Sequence, residues 1–77
     1  MTAYLVVLEQ APDGGWGAYV PDLPGCTSWG ETRDDAARHV REAIEGHIRV
    51  LELDGDPVPA PTSSAEMVEV GRALRLT

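Results

Sequence analysis

The residue types able to do chemistry in this chain are few, and most gather in the stretch "AYVPDLPGCTSWGETRDDAARH", residues 18–39. Two histidines, His39 and His47, stand eight positions apart. Metal ligands on one helix face need a spacing of three or four, so the pair reads as exposed or edge-of-core histidines. Cys26 has no histidine near it in sequence and follows an apolar turn, which suits a small buried thiol rather than a nucleophile. Trp16 and Trp29 suit either a core or the centre of a protein interface, and sequence alone leaves both roles open. Asp22, Leu23 and Trp29 belong to a proline-rich junction that either reverses the chain or presents a contact surface. There Pro21 and Pro24 fix φ and remove two donors, while Gly25 opens φ values closed to other residues.

The elements that must position these side chains are legible in outline. "TAYLVVLEQ" is strand-like and ends at "APDGG", a cluster with the backbone freedom of a hairpin turn. "WGAYV" alternates Trp16, Ala18 and Val20 with Gly17 and Tyr19, and the short "CTSWG" supplies a third strand. Thr32 caps a helix whose first turn carries Asp34 and Asp35. Its apolar stripe is Ala36, Val40, Ala43, Ile44, Ile48 and Leu51, and Arg38–Glu42 and Glu45–Arg49 are spaced as ion pairs on the opposite side. Gly55 stops it, and "DPVPAPTSS" continues no helix. Val68, Val70, Leu74 and Leu76 share one parity, with Gly71 as a bulge or turn, so a fourth strand is expected to begin near Met67. The expected class is α+β: a three-stranded antiparallel meander, one long helix and a returning fourth strand, all in one domain spanning residues 1–77.

Charge and length narrow the function classes. A chain of 77 residues holds one thin core. Thirteen acidic residues against six arginines and no lysine give a net charge of −7, which repels nucleic-acid phosphates and either serves solubility alone or favours a basic protein partner. The lone cysteine forms no internal disulfide, and neither a signal peptide nor an apolar span is visible, so a cytoplasmic protein is expected.

"VPDLPGCTSWGETRDDAARHVREAI" resembles the signature of the HicB family of bacterial antitoxins. Val20 to Cys26 carry its V-P-D-L-P-G-C segment, Gly30, Glu31 and Thr32 its G-acid-T, Asp35 and Ala36 its acid-Ala pair, and Ala43 and Ile44 the pair further on. "DGDPVPAP" resembles the family's segment after the helix. The resemblance implies a truncated ribonuclease H-like fold, β-β-β-α-β, whose last strand lies parallel to the first through a right-handed crossover. It implies a partner too: a HicA-like toxin, a small basic protein that cleaves messenger RNA with a histidine and is neutralised when the antitoxin covers it. Members usually carry a DNA-binding module beyond this domain, and no segment of these 77 residues reads as one, so operon repression by this chain alone is not expected.

A ribonuclease H-like fold also invites a search for carboxylates that hold magnesium. Asp22, Glu45 and Glu52 are the candidates, but Asp22 sits in a loop, Glu45 on the charged side of the helix, and the first strand offers Glu9 near its end rather than its centre. No metal cluster, cofactor or catalytic residue is expected. The function expected is a non-enzymatic antitoxin, with an orphan domain binding itself or an unrelated protein, and a vestigial hydrolase, as alternatives. Asp22, Leu23, Pro24, Trp29 and Glu31 are the expected partner-binding residues. One helix covers one face of a four-stranded sheet, so a homodimer or tetramer is expected, with Trp16, Tyr19 and Trp29 at its interface.

Overall fold

The computed structural model describes residues 2–75. Strands β1 (Val7–Gln10), β2 (Trp16–Tyr19) and β3 (Thr27–Gly30) form an antiparallel sheet in that order, and α1 (Arg33–Leu53) packs across it. The first hairpin is made by local chemistry. Ala11 and Gly14 close a turn with Pro12 at its second position, and Gly14 then takes φ 93°. The Asp13 carboxylate accepts the Gly15 N–H at 2.9 Å.

The β2–β3 connection is a double turn. The Leu23 N–H donates to the Val20 carbonyl at 3.1 Å, and the Cys26 N–H donates to the Leu23 carbonyl at 3.0 Å. Each turn carries a proline at its second position, Pro21 and Pro24, where no N–H is needed. Gly25 completes the second turn at φ 84°. The two reversals tuck Leu23 inward until none of it is exposed.

Helix α1 starts and stops where its caps dictate. Thr32 accepts the Asp35 N–H at 3.1 Å, and Asp34 and Asp35 complement the positive end of the helix dipole. At the other end the Gly55 N–H donates to the Glu52 carbonyl and the Asp56 N–H to the Leu51 carbonyl, with Gly55 at φ 72°; this is a Schellman ending. The expected stripe faces the sheet. Ala36 and Val40 are buried with Ala18, Val20, Leu23 and Cys26, and Ala43, Ile44 and Ile48 pack around them. The expected Arg38–Glu42 and Glu45–Arg49 pairs do not form. Among the described residues the ion pair is instead Arg38–Asp35 at 3.2 Å, where Arg38 reaches back one turn to the acidic helix start.

Two expectations about strands need correction. The first strand begins at Val7 rather than Thr2. Counting back from Val7↔Tyr19, the next hydrogen-bonded pair is Leu5 with Pro21, which has no N–H, while the Val20 N–H is already given to the Cys26 carbonyl. The returning fourth strand is absent among the described residues: positions 57–75 form no ladder, and Met67 is 97% exposed. A strand exists only through a partner's backbone, and this segment meets no sheet edge in its own chain. Leu76, on the same parity, lies outside the described residues.

Candidate protein-interaction surface

Strand alternation assigns each side chain to one of two faces. Leu8, Trp16 and Ala18 face α1, and the register places Val7, Glu9, Gly17, Tyr19, Thr27 and Trp29 on the other face. That open face has a defined relief. Glu9, Gly17 and Trp29 form one cross-strand row, and Gly17 leaves a notch between the carboxylate and the indole. A Cβ added at Gly17 would meet nothing within 4 Å.

Trp29 is 55% exposed and Tyr19 42%, large values for aromatic side chains on a small sheet. The indole is nonetheless positioned. A Cβ on Gly15 would meet its Nε1 at 2.9 Å, so glycine there lets the ring lie against the hairpin. From behind, the His39 ring lies 2.7 Å from the Trp29 carbonyl. A carbonyl only accepts, so Nδ1 carries the hydrogen and ties α1 to β3. His39 thus has a structural partner, and His47 is a half-buried residue further along the helix.

The other residues expected to bind a partner are dispersed. Pro24 and Glu31 are exposed on the two sides of β3. Leu23 offers no surface at all and belongs to the core, because the double turn aims it inward. Trp16, expected at an oligomer interface, packs half-buried against the core on the helix side. Cys26 is a buried free thiol, and burial pushes its pKa up.

Asp22 has a role that its position in a loop did not reveal. Its carboxylate accepts four hydrogen bonds from residues some forty positions downstream. The N–H groups of Thr62 and Ser63 reach one oxygen at 2.9 Å each, and their hydroxyls reach the other at 3.1 and 2.8 Å. The Tyr4 hydroxyl donates to the Pro59 carbonyl, so the segment after the helix is held at two points. Sequence offered one signal for this clamp: "TSS" after "PAP" supplies consecutive donors where the chain has just been stiffened.

The clamp is sensitive to pH. Hydrogen bonds from the Ser63 backbone and hydroxyl, and then from Thr62, hold the Asp22 pKa down to about 2 from an ordinary 3.8. A depressed carboxylate stabilises the fold above its unfolded pKa and loses that contribution as pH falls through the folded value, so the effect lies between about pH 4 and pH 2. The protection factors of the Thr62 and Ser63 amides, measured against the intrinsic exchange rate at each pH, are expected to fall as pH drops across that window. Asp22→Ala is expected to show little protection at any pH, so that its Thr62 and Ser63 amides exchange about tenfold or more faster than those of the native chain at pH 6. Equal protection in both proteins would show that the four bonds do not hold the segment.

The carboxylates considered for metal binding are not assembled. Asp22 is engaged by Thr62 and Ser63, whereas Glu45 and Glu52 line grooves beside the helix. Among the described residues no three of His, Cys, Asp and Glu approach one another closely enough to hold an ion. No helix among them is long and apolar enough to cross a membrane.

Comparison with known proteins converges on one description. The family model "HicB_like antitoxin of bacterial toxin-antitoxin system" matches residues 4–71. A UPF0150 protein of Synechocystis sp. is 45% identical over 56 residues, 73% of this chain and 71% of that protein. A UPF0150 protein of Thermoplasma acidophilum is 34% identical over 56 residues, covering 73% and 81%. The crystal structure of the N-terminal domain of the Burkholderia pseudomallei antitoxin HicB superposes with a TM-score of 0.69 at 41% identity, over 77% of this chain and 69% of that one.

Proposed function

The chain belongs to the HicB-like antitoxin family, and on that premise we propose that it binds and neutralises a small, basic, HicA-like toxin that cleaves messenger RNA. The open face of its sheet is the docking surface. The observation that carries this reading is the half-exposed, rigidly backed Trp29 beside an empty notch at Gly17. An indole held in place at little entropic cost is the kind of residue on which interface energy concentrates. A lysine or arginine of the toxin fits over its face, the best aromatic acceptor for a cation, and Glu9 across the notch pairs with the same charge.

Neutralisation on this reading is occlusion. The toxin's basic surface serves its RNA substrate, and the antitoxin's net charge of −7 steers it onto that surface and excludes the phosphates. No catalytic step by this chain is required, so its role is that of a binding protein in the cytoplasm, built on a truncated ribonuclease H-like fold. Pro24 and Glu31 flank the same strand and extend the contact at its rim.

The test is titration against a purified HicA-like toxin. Trp29→Ala is expected to weaken binding about 30-fold or more, the cost of a hot-spot residue. Gly17→Thr fills the notch without a clash in the free protein and is expected to weaken binding by a comparable factor with no loss of thermal stability. The association rate of the native pair falls as salt rises. If both variants bind as tightly as the native chain, the toxin docks elsewhere.

A further inference from the structure

Among the described residues two features lack partners, and each has the form of what the other lacks. The first is the free edge of β1. The Ala11 N–H bonds to the Gly15 carbonyl, so odd-numbered residues of this hairpin turn their backbone groups toward β2. Val6, Leu8 and Gln10 therefore turn theirs outward. Behind this edge runs a groove of about 710 Å³ between the N-terminal segment and α1. Val6, Val40, Ile44 and Ile48 form its apolar lining, and Arg41 and Glu45 its charged one. The edge carries no proline and no lysine to discourage pairing.

The second feature is the segment "EMVEV", Glu66–Val70. It is strand-like in composition, ends at Gly71, and exposes Met67, Val68 and Val70 to solvent. It also stands away from the domain. The radius of gyration is 15.2 Å, against about 11.5 Å for a compact chain of this length.

We propose that Glu66–Val70 of one copy of this chain adds as an antiparallel strand to the free β1 edge of a second copy, supplying a fourth strand in trans and closing the groove against α1. Val68 and Val70 share a parity and enter the apolar groove together, while Glu69 points the opposite way. Reciprocal exchange gives a closed two-fold dimer.

The chain's own segment is badly placed to fill its own edge. Counting the β1–β2 register back from Val7↔Tyr19 sets Tyr4 level with Asp22. The chain passes Tyr4 at Pro59 and reaches Asp22 at Thr62, so it has already crossed from the β1 side toward β2. Returning requires a tight reversal between Ser63 and Val70, where there is neither glycine nor proline. A second copy needs no reversal and leaves the Asp22 clamp intact.

Sedimentation equilibrium and hydrogen exchange on the full chain test this. The native protein is expected to have twice its 8.3 kDa mass at micromolar concentration. Val68→Pro removes a ladder donor from a side chain already in solvent, and is expected to raise the dimer dissociation constant about 100-fold while leaving the helical signal unchanged. Amides of Val6, Leu8 and Val70 are expected to gain protection together as concentration rises. A monomeric native chain overturns the proposal, as does a dimer indifferent to Val68→Pro. Protection of Val70 that is independent of concentration would place the strand on its own chain's edge and overturn it equally.

Discussion

Gly30→Ala is expected to lower the thermal midpoint by about 12–24 °C. The residue ends β3 where the first turn of α1 crosses it. An added Cβ would meet the Ala36 nitrogen, and would lie 2.8 Å from both the carbonyl carbon and the Cβ of Asp35. Two of these atoms are backbone, in the turn fixed by the Thr32 cap, so no side chain can swing aside. The helix must retreat from the strand, opening the contact that buries Ala36. Overpacking of this kind costs about 3 kcal/mol, and in a domain of this size each kcal/mol moves the midpoint by about 4–8 °C. Gly46→Ala is the control of opposite sign: it lies inside α1 with nothing within 4 Å of the new Cβ, and helix propensity predicts a gain of about 1 kcal/mol. Calorimetry on both variants decides the matter. A Gly30→Ala midpoint within about 4 °C of the native value would show that the helix start yields freely.

Leu23→Ala is expected to cost about 3 kcal/mol, within the range of about 2–5 for truncating a buried leucine. Among the described residues Leu23 is the largest side chain with no exposed surface, and it joins the loop to the core formed by Ala18, Val20, Ala36 and Val40. The other buried residues of that core are alanines, valines and a cysteine, whose short side chains cannot extend into the space left by Leu23. A small domain holds little reserve against such a loss. Urea denaturation is expected to show an early midpoint with an unchanged slope, because the fold persists and only its stability falls. A loss under about 1 kcal/mol would mean that the double turn collapses into the space. The open face carrying Trp29 lies across the sheet from this core, so a folded Leu23→Ala protein still presents the notch at Gly17.

The parts of this protein whose causes are local can be read from the residues alone. The hairpin at "APDGG", the helix from Thr32 to its stop at Gly55, and the stripe from Ala36 to Ile48 all follow from residues within a few positions of one another. The signature "VPDLPGC" is legible as a rigid turn because two prolines fix φ and the glycine admits the positive φ that the second turn needs, and the same residues carry the family resemblance. What depends on residues distant in sequence was settled by the packing of the folded chain. Whether Leu23 pointed out to a partner or into a core depended on a helix that begins ten residues later. Asp22 found its donors at Thr62 and Ser63, a choice no periodicity encodes. "EMVEV" reads as a strand in isolation, yet a strand requires another backbone at about 4.8 Å, and the path from Pro59 to Asp22 carried it past its own sheet edge. Local propensity specifies what a segment can become, and the closure of distant contacts settles which of those states has a partner.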